Sequence, residues 1–172
     1  SIELTTNCNL RCKHCCIAAG DLPIANIKNE ICFKIIDWAE KNKIKEITLT
    51  GGEPLLYPDL IEILLYLRNH FSGTVQIITN LTSLTEKMAS ILSNTVDHVS
   101  ISLDGYNEES IDYIRGEGTY KNICKKLELL KSHSFRMVSG TMVLSDENYE
   151  HINEFEELCK VLRLKPALRT IT

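Results

Sequence analysis

The feature that most constrains the fold is a regular alternation of short β-rich runs with segments of helical period. The β-rich runs lie at residues 2–6, 46–50, 75–79, 98–103, 136–144 and 164–171. Between them, apolar residues recur at spacings of three and four, as they do in Ile152, Phe155, Cys159 and Leu162. This alternation predicts parallel strands that are joined by crossover helices.

The length of the chain leaves two architectures open. A βα unit takes roughly 30 residues, so we expect the 172 residues to form one α/β domain of between five and six such units. A closed eight-fold barrel takes about 250 residues. The candidates are an open doubly wound sheet and a partial barrel, and periodicity does not separate them. In both, the chemistry belongs at the carboxyl ends of the strands.

One helix is predicted directly after Pro58 and Asp59, because Pro and Asp are common at helix starts. Its apolar residues suggest one face, which we expect to be buried. The members of this predicted face are Leu60, Ile61, Leu64, Leu65 and Arg68.

Charge and hydropathy exclude two classes of partner. The chain has 19 Lys and Arg residues against 23 Asp and Glu, a net charge of −4, and its longest basic runs are pairs such as Lys125-Lys126. Such pairs are too sparse to track a phosphate backbone, so no nucleic-acid partner is expected. No apolar run approaches the roughly 18–20 residues of a membrane span. Because no leader-like stretch follows Ser1, we expect a cytoplasmic protein. We also expect the chain to be a piece of a longer protein.

The cysteines are too clustered for a disulfide framework. Of seven cysteines, Cys8, Cys12, Cys15 and Cys16 lie within nine residues. Secreted scaffolds spread their cysteines so that the bridges close loops across the fold. A tight cluster in a chain without a leader indicates metal binding in a reducing cytoplasm. The scattered Cys32, Cys124 and Cys159 fall on apolar stripes and are expected to be buried, because buried cysteine behaves as a small hydrophobic residue.

Cys8, Cys12 and Cys15 form a C-x3-C-x2-C pattern. Three thiolates in a compact loop can bind three irons of a [4Fe–4S] cluster and leave the fourth iron open. Adjacent side chains diverge, so Cys16 is not expected to complete the set. Zinc is the alternative, but it normally takes four ligands in two separated pairs, and no second pair follows.

Polar and glycine residues follow the other predicted strands. Gly51 and Gly52 expose backbone that a ligand can approach closely, and Pro54 biases Glu53 toward an extended conformation that projects its carboxylate. Further polar strand ends are Asn80, Ser102 and Asp104. The alternative for each is an ordinary turn after a strand.

The cysteine loop after the first strand, followed by Thr50-Gly51-Gly52-Glu53-Pro54 after the second, resembles the radical S-adenosylmethionine (SAM) superfamily. The resemblance covers nearly the whole chain and implies a partial (β/α)6 barrel. The segment from Arg115 to Tyr120, Arg-Gly-Glu-Gly-Thr-Tyr, is similar to one in the subgroup of peptide maturases, many of which carry auxiliary-cluster domains of the SPASM or twitch type. The sequence departs from the family at His14, where Tyr or Phe is common.

The resemblance implies a [4Fe–4S] cluster on Cys8, Cys12 and Cys15, with SAM on the open iron. The reduced cluster would cleave SAM to a 5′-deoxyadenosyl radical, which would abstract hydrogen from a substrate. The implied SAM contacts are His14, Thr50, Gly51, Gly52, Glu53, Pro54, Asn80, Ser102, Asp104, Arg115 and Leu144. Among them, the glycine segment would bind the methionyl ammonium, Arg115 its carboxylate, and Leu144 with Val143 would wall the adenine.

The implied protein is an oxidoreductase or peptide maturase. Its expected partners are a peptide or protein substrate and an external one-electron donor of the flavodoxin or ferredoxin type. The sequence identifies no acid or base for the reaction. A radical SAM enzyme that tailors haem or another cofactor is the enzymatic alternative. A non-catalytic iron–sulfur or zinc-binding module is the alternative from another class.

Overall fold

The computed structural model describes residues 1–21, 23–146 and 148–170. Within these ranges, six parallel strands form one sheet in the order of the chain. The strands are β1 (Ile2–Glu3), β2 (Glu46–Thr50), β3 (Thr74–Thr79), β4 (His98–Ser102), β5 (Met137–Leu144) and β6 (Lys165–Thr170). The helices are α1 (Asn29–Lys41), α2 (Leu60–His70), α3 (Glu86–Thr95), α4 (Glu108–Arg115), α5 (Thr119–Lys131) and α6 (Ile152–Val161).

The strand order decides between the two predicted architectures. A doubly wound sheet reverses its order at a switch point, whereas β1 to β6 follow one another without reversal. Sequential order is the arrangement of a (β/α) barrel. The described helices include none that is long and apolar enough to span a membrane.

The first strand is shorter than the prediction of residues 2–6. β1 ends at Glu3, and Leu4 still donates its N–H to the carbonyl of Thr50 at 2.9 Å. The chain then pairs on its other side: Ile27 N donates to Leu4 O at 3.0 Å and Thr6 N to Ala25 O at 2.9 Å. The last predicted strand includes Ile171, which lies outside the described residues.

The face predicted for α2 is partly wrong, because Leu60 and Leu64 are buried as expected but two other members point away from the core. The helix begins at Leu60 as expected, but Leu65 is 50% exposed and Arg68 is exposed. The face that packs into the core is Leu60, Ile63, Leu64 and Leu67. Apolar residues lie on more than one side of this helix, so the sequence alone does not fix which side meets the sheet.

The predicted burial of the scattered cysteines is confirmed at two of the three positions. Cys32 and Cys159 are buried in the hydrophobic core, and Cys124 is partly buried against it. Burial raises the pKa of Cys32 to about 11. Burial also raises the pKa of Cys159 to about 12, so both remain protonated thiols at neutral pH.

Candidate functional site

The carboxyl ends of the strands surround a cavity of about 140 Å³. Its lining includes all three predicted metal ligands and many of the predicted cofactor contacts, which come from separate βα units. These lining residues are Cys8, Cys12, His14, Cys15, Thr50, Gly51, Gly52, Asn80, Ser102 and Arg115. The sheet therefore brings together side chains that lie far apart in the sequence, as parallel strand ends do.

The loop that carries the cysteines closes on itself through Arg11. The guanidinium of Arg11 donates to the carbonyl of Cys8 at 2.9 Å, also bonds the carbonyl of Gly20, and pairs with Asp21 at 2.6 Å. Farther along, Lys13 N donates to the carbonyl of Ile114 at 2.9 Å. These bonds hold the cysteine loop over the strand ends, although it contains no strand or α-helix.

Gly51 and Gly52 leave space that is occupied by the backbone of a neighbouring segment of the chain. Gly52 N donates to Thr5 O at 2.7 Å, and Glu53 N donates to Asn7 O at 2.8 Å. A Cβ on Gly52 would lie 2.3 Å from Asn7 O, and one on Gly51, where φ is +138°, would lie 2.5 Å from Thr5 O. The two glycines predicted a ligand in this space. The space a side chain would need is instead taken by the backbone that leads into the cysteine loop.

Glu53 is extended, as predicted, but its carboxylate is fully buried. It accepts hydrogen bonds from Thr79 Oγ1 at 2.6 Å, Asn80 N at 2.7 Å and Leu55 N at 3.1 Å. Pro54 follows it, buried, at the start of a short 3₁₀ helix. Burial raises the pKa of Glu53, and the three hydrogen bonds oppose that effect. Glu53 does not line the cavity, so its contact with a cofactor ammonium stays a prediction.

Asp104 and Arg115 form a buried ion pair with each other. Arg115 Nη2 donates to Asp104 Oδ2, His14 Nε2 lies 3.0 Å from the same oxygen, and Val143 N donates to Oδ1 at 2.8 Å. Burial favours the neutral acid, but Arg115 and His14 outweigh it and lower the pKa of Asp104 to about 2. The resemblance assigned both residues to SAM, whereas in this structure each is the other's partner.

Arg115 nevertheless keeps one donor for a ligand. Its Nε is buried and has no hydrogen-bond partner among the described residues. A buried unpaired donor costs about 1–3 kcal/mol, so an acceptor in the cavity that Arg115 lines would remove that cost. This observation fits an anionic group such as a carboxylate.

The remaining predicted contacts divide between two environments. Thr50 and Ser102 are partly buried and line the central cavity. Val143 lines an adjoining cavity of about 350 Å³ together with His14 and Asp104. Leu144 packs against the hydrophobic core instead, so its role beside adenine stays a prediction.

The thiols suit an iron–sulfur cluster by their chemistry and position. Cys8, Cys12 and Cys15 are partly buried at one cavity, whereas Cys16 is exposed. Burial raises the pKa of the Cys8 and Cys12 thiols. In the described ranges, no three His, Cys, Asp or Glu side chains form a ready site for a single metal ion. Thiolates that each bind a different iron do not need to meet at one point.

Sequence reasoning missed two residues behind the cavity wall. Asn9 Nδ2 donates to Thr82 Oγ1 at 2.8 Å, and Asn9 Oδ1 accepts from Asn80 Nδ2 at 3.0 Å. The available signal was their polarity: Asn9 follows Cys8 directly, and Thr82 is two residues after Asn80. Together they fix the Asn80 side chain.

A sequential parallel sheet with three cysteines at the carboxyl ends of its strands defines a class of iron–sulfur barrel protein. The profile of the radical SAM superfamily matches residues 2–159, and the chain belongs to that superfamily. Radical SAM proteins use a [4Fe–4S] cluster and SAM.

Two curated relatives are similar over most of the chain. The mycofactocin maturase MftC of Mycolicibacterium smegmatis is 33% identical over 176 residues, covering 97% of this chain and 44% of that protein. The AdoMet-dependent heme synthase of Methanosarcina barkeri is 34% identical over 168 residues, covering 93% of this chain and 46% of that protein. The chain therefore spans less than half the length of either relative.

Two solved structures share the fold. Native anSMEcpe with bound AdoMet has a TM-score of 0.79 at 22% identity, covering 98% of this chain and 50% of that chain. Streptococcus suis SuiB bound to precursor peptide SuiA has a TM-score of 0.82 at 18% identity, covering 99% of this chain and 38% of that chain. The predicted partial (β/α)6 barrel is confirmed by these likenesses and by the strand order.

Proposed function

We propose that residues 1–172 are the SAM-cleaving core domain of a radical SAM enzyme that modifies a peptide or protein. A [4Fe–4S] cluster held by the three cysteines would supply the electron for reductive cleavage of SAM, which yields methionine and the 5′-deoxyadenosyl group that takes hydrogen from the substrate. The observation that carries the proposal is the meeting of Cys8, Cys12 and Cys15 at a cavity that is also lined by Arg115, whose Nε is unpaired.

The chain's own residues have distinct parts in this proposal. Cys8, Cys12 and Cys15 would hold three irons as thiolates. Arg115 would offer its buried Nε to the methionyl carboxylate, and the Gly51-Gly52-Glu53 segment would bind the methionyl ammonium.

A peptide substrate is supported by the names of similar proteins. MftC is described as a maturase, and SuiB was solved with its precursor peptide. The Arg-Gly-Glu-Gly-Thr-Tyr segment points to the same subgroup. The heme synthase, at 34% identity, supports a haem substrate as the second candidate. A one-electron donor of the flavodoxin or ferredoxin type and a cytoplasmic location complete the proposal.

The test is formation of 5′-deoxyadenosine from SAM after anaerobic cluster reconstitution and chemical reduction. We expect product from the wild-type chain and none from Cys12→Ala, while Cys124→Ala, which changes a thiol on α5, should retain it. Metal analysis of the same samples should give iron and sulfide. Zinc in their place, or a four-iron cluster that yields no product, would contradict the proposal.

The substrate class needs a separate comparison. The loaded protein, or the longer protein if the core alone does not bind substrate, would be incubated with candidate precursor peptides and with haem precursors. SAM-dependent mass loss in a peptide supports a maturase, and a change in the haem precursor supports the second candidate.

A further inference from the structure

Each of the three cysteine sulfurs has an N–H donor, and each donor comes from a different part of the chain. Asn80 Nδ2 lies 3.9 Å from Cys8 Sγ, and Arg115 Nη1 lies 3.9 Å from Cys12 Sγ. Ala19 N lies 3.3 Å from Cys15 Sγ. Two of the donors are therefore side chains, located after β3 and at the end of α4, and the third is backbone within the cysteine loop.

The direction of the Asn80 amide is fixed by its neighbours. Thr82 N donates to Asn80 Oδ1 at 3.0 Å, and Thr82 Oγ1 donates to the same oxygen at 2.7 Å. A backbone N–H can only donate, so the amide atom that faces it must be the oxygen. The NH₂ group then faces Cys8 and Asn9. Asn80 is only 5% exposed, so these contacts are largely shielded from bulk solvent.

The N–H donor of Arg115 belongs to a guanidinium, which carries a positive charge. The buried charged side chains of the described residues are Glu53, Asp104 and Arg115, so Arg115 supplies the buried cation. Its Nη2 is held by Asp104, which leaves Nη1 directed at Cys12 Sγ. The ion pair with Asp104 thus aims the guanidinium at a thiolate.

We propose that Asn80 and Arg115 are positioning residues that raise the reduction potential of the cluster by donating N–H groups to the thiolates of Cys8 and Cys12. Reduction adds one electron, and its negative charge is shared with the sulfurs. N–H donors and a nearby cation stabilise the reduced form more than the oxidised form. The inference rests on the proposed function, because it requires a cluster on these three cysteines.

The experiment is a redox titration of the reconstituted cluster, followed by electron paramagnetic resonance without SAM. The test variants are Asn80→Ala, Asn80→Asp and Arg115→Met. Each is expected to lower the ratio of reduced to oxidised cluster at a fixed potential about tenfold, a shift of about 59 mV for a one-electron couple. Asn80→Asp should shift it further than Asn80→Ala, because the new carboxylate also repels the added electron.

Matched controls make the same chemical changes far from the cysteines. Asn94→Asp alters an exposed asparagine on α3 that bonds Ser90 O, and Arg136→Met alters a 79% exposed arginine that pairs with Asp97. Both should leave the potential unchanged.

The outcomes separate this inference from the proposed function. If the wild-type chain assembles no four-iron cluster, the proposed function fails. If the cluster assembles and its potential is unchanged or raised in Asn80→Ala and Arg115→Met, the inference is overturned and the proposed function stands. Should Asn80→Asp not fold, those two variants decide. Melting temperatures of all variants identify any general loss of structure, which would not by itself shift the potential in this direction.

Discussion

Asp104 follows β4 with left-handed backbone, φ +58°, and with its carboxylate buried against Arg115 and His14. Asp and Asn tolerate this backbone better than other residues that have a side chain. The sequence predicted a polar residue at this strand end and a functional Arg115. It could not predict that the two would pair, because that contact depends on how α4 returns to the strand ends.

The ion pair predicts a pH dependence of stability. The pKa of Asp104 is about 2, below its ordinary value of 3.8. The ionised form therefore contributes about 2 kcal/mol of unfolding free energy that is fully present above about pH 4 and lost as the pH falls toward 2. Asp104→Asn should lower stability at pH 7 by about 3 kcal/mol, because it leaves Arg115 buried without its partner.

Urea unfolding followed by circular dichroism at pH 7, 4 and 2.5 measures this effect. The difference in unfolding free energy between the wild type and Asp104→Asn should become smaller below pH 4. Asp59→Asn, an exposed carboxylate that makes no side-chain capping bond, should show no such narrowing. If the difference in unfolding free energy stayed constant across this pH range, the lowered pKa of Asp104 would be contradicted.

At the scale of single elements, the contact between the cysteine loop and the end of β2 positions the thiols. The Thr50-Gly51-Gly52-Glu53-Pro54 segment was recognisable in the sequence, but the reason for its glycines was not. They make room for the backbone of residues 5–7, a packing relation between two segments that sequence spacing does not contain.

Gly52→Ala should reduce the iron bound per chain after reconstitution by severalfold. Its Cβ would lie 2.3 Å from Asn7 O, so the backbone that leads to Cys8 must move. Iron and sulfide analysis measures the effect. Gly118→Ala provides the control, because it carries a strained φ of +77° but has nothing within 4 Å of the added Cβ. Equal iron loss in both variants would refute the steric explanation.

The two sides of α2 give a second prediction at this scale. Ile63 is fully buried and Leu65 is 50% exposed. Ile63→Ala should lower the unfolding free energy by about 2–5 kcal/mol, whereas Leu65→Ala should change it by about 0.5 kcal/mol or less. Urea denaturation compares them. Equal losses of unfolding free energy in the two variants would support the helix face that the sequence pattern predicted.

At the scale of the whole molecule, the alternation of six strands with helical segments was predictable, because hydrophobic periodicity and turn residues are local signals. The sequential strand order was not, since periodicity is the same in a doubly wound sheet and a partial barrel. Only the resemblance to a family pointed to the barrel before the structure did.

The core predicts that the chain folds without metal. Most of the residues that fill it lie in the strands and helices, and Cys8, Cys12 and Cys15 are not among them. The apo chain should therefore show an α/β circular dichroism spectrum and a cooperative thermal transition, unlike a zinc finger, which needs its metal to fold. Cluster loading should raise the melting temperature, because it binds only the folded state. An apo chain without a cooperative transition would contradict this prediction.

The N–H groups beside Cys8 and Cys12 come from residues 72 and 103 positions farther along the chain. The cysteine ligands and the residues that surround them thus lie on different segments of the chain. A substitution after β3 or at the end of α4 alters the environment of a thiol without touching the loop that binds iron. Related barrel proteins can therefore differ in the reduction potential of the cluster while all of them keep the same three cysteines.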